Sequence, residues 1–147
     1  MVHTWRKWWK CDTNIKIATM KKIKSLSERR LIIPAKLNGK DANFLVDTGA
    51  TVALVSDRIK KKYGLMVGKK FPKPLVGAGG EFNAYFCNTP AYLEGKPLTQ
   101  FLLADISNVA ESIKRETGIT IHGIISLPQM QFVGMQIDTK DNTIILD

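Results

Sequence analysis

Short apolar runs alternate with turn residues along most of the chain from residue 30 onward. The first two runs, "RLIIPAKL" and "KDANFLV", are joined by Asn38-Gly39. Both residues of this pair tolerate a positive φ, so it predicts a tight β-hairpin turn. The same kind of signal predicts further hairpins at residues 76–80, at Glu94-Gly95 and at Asp141-Asn142.

Three short helices are predicted between these strands, within "DRIKKKYG", within "VAESIKRETG" and near "LPQMQFVG". Their expected boundaries are Ser56 and Gly64 for the first, Ser107 or Asn108 and Gly118 for the second, and Pro128 in the first turn of the third. The second helix, over residues 109–117, is only weakly amphipathic, and we expect it to cover the core. Together these elements predict one closed, β-barrel-like, mainly β domain over residues 30–147.

Length and composition agree with a single globular domain. The chain has 147 residues, of which 44% are hydrophobic and 24% charged, a mixture typical of a folded protein. No apolar run is long enough to predict a transmembrane helix. Cys11 and Cys87 are far apart in sequence and form no metal-binding pair, so we expect no metal, no cofactor and a cytoplasmic location.

Charge divides the chain into two parts. Residues 1–29 are predicted to be a separate N-terminal segment, since residues 1–30 carry +7 of the net +9. The segment includes "WRKWWK" at residues 5–10, and two interpretations of this motif stay open. We favour a solvated, flexible leader, and the alternative is an arm that makes weak contact with nucleic acid or an anionic surface.

The stretch "FLVDTGATVALVS" places one acidic residue, Asp47, between two apolar runs. Asp-Thr-Gly is ordinary turn chemistry, because Asp bonds its own backbone and Gly supplies a positive φ. That interpretation predicts polar surroundings, whereas Asp47 is flanked by Phe44 to Val46 and by Val52 to Val55. The pattern therefore predicts a buried carboxylate at a tight turn, which is typical of a functional acid.

Residues 30–147 resemble the retropepsin-like aspartic proteases. Three motifs occur in the order in which the family has them. Asp47-Thr48-Gly49-Ala50 matches the catalytic motif, and "VGAGG" at 76–80 resembles the tip of the flap that covers the substrate. "GII" at 123–125 resembles the apolar pair beside the catalytic loop. The segments "VSDRIKKKYGL" and "IDTKDNTIIL" are more similar to cellular and bacterial members than to the compact viral ones. One departure is Ser126-Leu127-Pro128, where the family usually has Gly or Ala and a polar helix start.

The resemblance implies a peptide-hydrolysing enzyme that acts as a two-fold homodimer. One carboxylate must take a proton from water while a second polarises the peptide carbonyl. Two carboxylates about 3 Å apart repel by roughly 5 kcal/mol at an effective dielectric of 20, so the pair retains one proton. The chain has a single Asp-Thr-Gly, and the second Asp47 must come from a second copy.

The resemblance also implies roles for the neighbouring residues. Thr48 is expected to hold the two catalytic loops together across the dimer, and Gly49 to bring its N–H close to the carboxylate. The expected catalytic residues are Asp47, Thr48 and Gly49, and the expected peptide-binding residues are Ala50, Val76, Gly77, Ala78, Gly79 and Gly80. The flap glycines would let this hairpin close over an extended peptide and exclude water.

Two alternatives stay open. A retropepsin-like domain could be a non-catalytic dimerisation or peptide-binding module. The chain could also be a polyprotein-processing protease of a mobile element or phage, in which the basic arm binds nucleic acid. Steep salt dependence of nucleic-acid binding, lost when residues 1–19 are deleted, would favour the second alternative.

Overall fold

The structure is a computed structural model that describes residues 20–77 and 80–147. Within these ranges the strands are β1 (Lys21–Lys24), β2 (Ile32–Leu37), β3 (Lys40–Val46), β4 (Ala53–Ser56), β5 (Val67–Lys70), β6 (Leu75–Gly77), β7 (Gly80–Phe82), β8 (Tyr85–Cys87), β9 (Ala91–Leu93), β10 (Lys96–Leu98), β11 (Phe101–Ala104), β12 (Gly123–Ile125), β13 (Gln136–Asp138) and β14 (Thr143–Leu146). The helical segments there are a 3-10 turn (Asp57–Ile59), α1 (Lys60–Tyr63), α2 (Ser107–Thr117) and α3 (Leu127–Val133). The Trp-rich motif at 5–10 and the flap-tip residues Ala78 and Gly79 lie outside the described residues.

The strands form one large sheet, one small sheet and one hairpin. In the described part of the chain, the large sheet has nine strands in the order β10-β9-β2-β3-β12-β4-β11-β8-β5. The protein is mainly β, as predicted, and this sheet curls into a half-barrel rather than the closed barrel expected. Its two end strands resist further pairing: β10 contains Pro97, which lacks an N–H, and the pairing of β5 with β8 shifts register between Val67 and Lys70.

The predicted turns and helix boundaries are largely confirmed. Asn38 and Gly39 have φ values of 50° and 79°, as the tight turn between β2 and β3 requires. The three α-helices end at Gly64, Gly118 and Gly134, all in the left-handed conformation. These boundaries were predictable because each one depends on residues a few positions apart.

The core of the described residues has three clusters: a main cluster inside the half-barrel, a second cluster under α2, and a small third cluster of Ala84, Leu102 and Ala104. Phe44 and Phe101 pack against each other in the main cluster, with ring centroids 5.6 Å apart and the ring planes tilted by 36°. The second cluster contains Ile32, Leu45 and Ile124 from the sheet, together with Ile113 of α2. The helix therefore covers one face of the central strands, as predicted.

The folded domain begins earlier than residue 30. Strand β1 pairs with β14 in antiparallel register, and β14 also pairs with β13, which gives a three-stranded sheet. Ile23 is buried in the main cluster, while the Ser25 hydroxyl donates a 2.8 Å hydrogen bond to the carbonyl of Arg30. The lysines on either side of Ile23 led to the prediction that this strand belongs to a solvated segment. The buried side chain of Ile23 nevertheless anchors the strand to the core.

His122 bridges two elements of the central sheet. Its Nδ1 accepts a 2.9 Å hydrogen bond from the N–H of Asn43, and its N–H donates to the Asn43 carbonyl at 2.7 Å. Its carbonyl accepts from the N–H of Ser56 at 2.9 Å. Burial lowers the pKa of His122 below its ordinary value, and the nearby ammonium group of Lys62 lowers it further.

The lowered pKa predicts a loss of stability in acid. The unfolded chain takes up a proton at His122 near pH 6.5, whereas the folded chain takes it up at lower pH. The free energy of unfolding should therefore be fully retained above this pH and fall as the pH decreases below it. Urea denaturation at pH 7.5 and 5.5 measures the change. His122→Asn can keep an acceptor for the Asn43 N–H without titrating, so an equal pH dependence in this variant would contradict the assignment to His122.

Candidate active site

The Asp47 loop leaves the C-terminal end of β3 and is fastened by backbone hydrogen bonds. The N–H of Asp47 donates to the carbonyl of Ile125 at 3.1 Å, and the N–H of Ala50 donates to the carbonyl of Asp47 at 3.1 Å. The N–H of Leu127 donates to the carbonyl of Ala50 at 2.9 Å. The loop is therefore held on one side by β12 and on the other by the first turn of α3.

The Asp47 side chain is positioned within its own turn. Its Oδ1 accepts a 3.0 Å hydrogen bond from the N–H of Gly49. A Cβ atom at position 49 would lie 3.3 Å from the same oxygen, closer than most side chains approach one another. Gly49 does not have a positive φ, contrary to the turn interpretation. Glycine at this position lets the peptide N–H lie close to the carboxylate without crowding it.

Burial of Asp47 was predicted too strongly for a single chain. Asp47 is half-buried, whereas Thr48 and Gly49 are exposed. The flanking runs are buried because their side chains enter the sheet core, while the loop between them emerges at the edge of the half-barrel. The carboxylate therefore lies at the surface of one chain, where water or a second molecule can reach it.

The strand β12 passes between β3 and β4, behind the loop. It runs parallel to β3, with Ile125 opposite Val46, and antiparallel to β4. Ser126, the departure from the family pattern, is 2% exposed and caps α3 in a reciprocal box with Gln129. Gln129 also donates from Nε2 to the carbonyl of Thr99 at 2.6 Å. These hydrogen bonds satisfy the buried polar group of Ser126, so a serine fits at the position where the family usually has Gly or Ala.

The predicted flap is the hairpin of β6 and β7. These strands pair only with each other among the described residues, so the hairpin projects from the large sheet. Gly80 has a φ of 102°, a conformation that side chains disfavour. Val76 is 79% exposed in the single chain. An apolar side chain is therefore presented on a hairpin whose second strand begins at a glycine.

A cleft of about 550 Å³ lies between the Asp47 loop and this hairpin. The predicted site residues that line it are Asp47, Gly49, Ala50, Val76, Gly77 and Gly80. Thr48 does not line it. Such a cleft is large enough to hold several residues of an extended peptide.

The cleft also contains charged residues that sequence reasoning did not identify. Glu81 and Asp105 line it together with Asp47. Asp105 Oδ1 accepts a 2.9 Å hydrogen bond from the N–H of Ser107. Hydrogen bonding by the Ser107 side chain, and next by its backbone N–H, lowers the pKa of the Asp105 carboxyl, and Arg58 adds a smaller effect in the same direction. Asp105 follows the buried strand β11 much as Asp47 follows β3. This position directly after a buried strand is the sequence feature from which Asp105 could have been predicted as a site residue.

No group of three or more His, Cys, Asp or Glu residues in the described ranges could hold a metal ion. Cys87 is buried, and burial raises the pKa of its thiol. None of the helices that the structure describes is long and apolar enough to cross a lipid bilayer.

Comparison with known proteins gives a family match and several similar folds. Residues 33–102 match the family described as aspartyl protease. The EIAV protease complexed with the inhibitor HBY-793 is 20% identical, with a TM-score of 0.56 over 74% of this chain and 92% of that chain. The retroviral protease-like domain of Ddi1 from Leishmania major is 23% identical, with a TM-score of 0.54 over 80% of this chain and 88% of that chain.

A retropepsin-like aspartic protease from Rickettsia conorii is 17% identical, with a TM-score of 0.53 over 86% of this chain and 88% of that chain. A search of curated protein sequences found no match. At these identities the likeness shows the fold. The Leishmania and Rickettsia proteins align with more of this chain than the viral protease does.

Proposed function

We propose that this chain, which resembles the retropepsin-like aspartic proteases in fold and in the sequence of residues 33–102, is an aspartic endopeptidase. The observation that carries the proposal is the position of Asp47 in a cleft beneath a β-hairpin. The backbone holds the carboxylate there, and the hairpin lies where it can cover a bound peptide. An aspartic protease needs both features.

The second carboxylate comes from a second copy of the chain. Each chain contributes one Asp-Thr-Gly loop, and Thr48 and Gly49 of that loop are exposed in the isolated chain. A two-fold axis beside the loop would bring the two Asp47 residues together and bury their shared proton. The partial burial of Asp47 in a single chain supports this arrangement, because a carboxylate that its own chain enclosed could not contact Asp47 of a second chain.

Within such a dimer, the two carboxylates divide the chemistry. The ionised carboxylate takes a proton from water as the water oxygen attacks the peptide carbonyl carbon. The protonated carboxylate donates its proton to the carbonyl oxygen, which gives a neutral tetrahedral diol. The diol then collapses: the carboxyl that took the water proton gives it to the nitrogen, the other carboxylate takes the proton of one diol hydroxyl, and the C–N bond breaks. The dyad thereby returns to its starting state. The Gly49 N–H keeps one Asp47 oxygen oriented throughout.

Peptide-library digestion by the purified protein tests the proposal, with and without a pepstatin-type transition-state mimic. Cleavage that this mimic inhibits is the expected result. Peptide binding without any cleavage would instead favour a non-catalytic module. Contact between residues 5–10 and nucleic acid stays a prediction, and a separate nucleic-acid binding experiment is needed to test it.

Activity per chain should fall on dilution if the dyad forms only in the dimer. We expect the specific activity to decline with the dimer population over about a thousandfold range of protein concentration. Sedimentation at the same concentrations gives the dimer fraction independently, and an inert carrier protein controls for loss on surfaces. A constant specific activity in samples that sediment as monomers would contradict the shared-site mechanism.

A further inference from the structure

A second groove, of about 790 Å³, adjoins the Asp47 cleft. We call it the lateral groove, and the residues that define it here are Thr51, Val52, Phe71, Phe86, Pro97 and Phe132. Thr51 and Val52 also line the Asp47 cleft, so the two concave surfaces share a wall. These two residues lie four and five positions after Asp47 in the same loop. A chain that leaves the cleft at this wall therefore enters the lateral groove.

The lateral groove carries no charged side chain among the residues described. This is unusual for a chain in which 24% of residues are charged and the net charge is +9. The Asp47 cleft differs sharply, because Asp47, Glu81 and Asp105 all line it. A groove without charge disfavours a charged ligand, which would lose hydration there without gaining a partner.

Three phenylalanines provide apolar surface in the groove. Phe71 and Phe86 meet edge to face, with ring centroids 5.5 Å apart. Phe132 is 79% exposed, while its helix neighbours Met130 and Val133 are buried. A single exposed apolar residue is common on protein surfaces, but several aromatic rings around one concavity mark a binding surface.

The walls of the groove are held in place by polar contacts. Gln129 donates to the carbonyl of Thr99 and links α3 to the segment between β10 and β11. The N–H of Asn88 donates to the carbonyl of Met66 at 2.8 Å, which fixes the opposite wall. A prearranged groove of this kind binds a ligand with little cost of ordering itself.

We propose that the lateral groove binds an uncharged, apolar segment of the same polypeptide whose peptide bond is cleaved at Asp47. This inference rests on the proposed protease function and extends it to the substrate class. The occupant is the substrate chain because the groove is continuous with the cleft through Thr51 and Val52. Efficient substrates are then polypeptides that carry an apolar segment a short distance from the cleaved bond.

The test compares three synthetic peptides. The first is a short peptide selected as a substrate from the library. The other two are the same peptide extended by a Gly-Ser spacer and the segment Leu-Phe-Pro-Leu, at the N-terminal end in one and at the C-terminal end in the other. We expect one extension to raise kcat/KM about tenfold in the wild-type protein, mainly through KM, an effect comparable to burying one aromatic side chain.

Phe132→Lys should abolish this gain and leave cleavage of the short peptide unchanged. Tyr92→Lys is the matched control, since Tyr92 is an aromatic residue, 46% exposed, that lines neither the cleft nor the groove. Equal kcat/KM for short and extended peptides in the wild-type protein would overturn the proposal. A shift of the monomer–dimer equilibrium by Phe132→Lys, with the gain from extension intact, would also overturn it and indicate a second copy as the occupant.

A binding measurement separates this inference from the proposed activity. Fluorescence anisotropy of a labelled Leu-Phe-Pro-Leu peptide is measured with the Asp47→Asn protein, with and without Phe132→Lys. Binding that depends on Phe132 supports the groove even if no peptide is cleaved. If peptides are cleaved but no binding depends on Phe132, the proposed protease activity is supported and the proposed binding of substrate in the lateral groove is rejected.

Discussion

Asp47→Asn is expected to lower peptide cleavage by about 10⁴-fold, because it removes from both subunits the group that supplies acid and base. Asparagine has nearly the shape of aspartate, and its Oδ1 can still accept the hydrogen bond from the Gly49 N–H. The folded loop should therefore persist. The comparison of kcat/KM for the two proteins on one library-derived peptide measures the loss, and circular dichroism verifies the fold.

Asp138→Asn is the matched control for this experiment. Asp138 is also followed by threonine, but its carboxylate accepts backbone hydrogen bonds from Lys140 and Asp141 in the turn after β13. It lies outside the Asp47 cleft. We expect Asp138→Asn to cleave at the wild-type rate. Near-wild-type cleavage by a pure Asp47→Asn preparation would mean that another group performs the reaction.

Gly123→Ala is expected to lower the free energy of unfolding by about 3 kcal/mol, a large fraction of the stability of a small domain. A Cβ atom at position 123 would lie 2.6 Å from the carbonyl oxygen of Leu54 and 2.6 Å from Cε1 of Phe44. Neither neighbour can move away easily. Leu54 belongs to β4, which pairs with β12, and the Phe44 ring is fully buried against Phe101.

Urea denaturation measures this change, with Gly68→Ala as the control. A Cβ atom at position 68 would approach the exposed side chain of Asn88 at 3.2 Å, and that side chain can rotate away. Gly68 also lies in a strand, so both substitutions make a similar change in chain flexibility. We expect Gly68→Ala to alter stability by less than about 1 kcal/mol. Equal stability of the two variants would contradict the close approach at Gly123.

The sequence by itself determined the local features of this protein. The Asn38-Gly39 turn, the capping of α3 by Ser126 and the left-handed ends of the helices depend on residues that are neighbours in sequence. Side-chain and backbone preferences act over this short range and are therefore visible in the sequence. The family resemblance was also present in the sequence, because its three motifs occur in a fixed order.

Only the tertiary structure decided which distant segments meet. It assigned β1 to the sheet beside β14, although lysines surround Ile23, because pairing with the C-terminal strand buries that one side chain. It left the half-barrel open, and it brought Asp105 into the cleft from a strand far along the chain. Long-range pairing depends on the packing of the whole core, which no short stretch of sequence contains.

For Asp47 too, the sequence determined the local chemistry, whereas the tertiary structure decided how far the side chain is buried. Apolar neighbours in sequence predicted an enclosed carboxylate. Phe44, Leu45 and Val46 are indeed buried on the two faces of the sheet, but the loop that follows turns outward. The sequence therefore determined the chemistry of the Asp-Thr-Gly loop. Its exposure was decided by the position of β3 in the curled sheet, where the strand ends at the edge of the cleft.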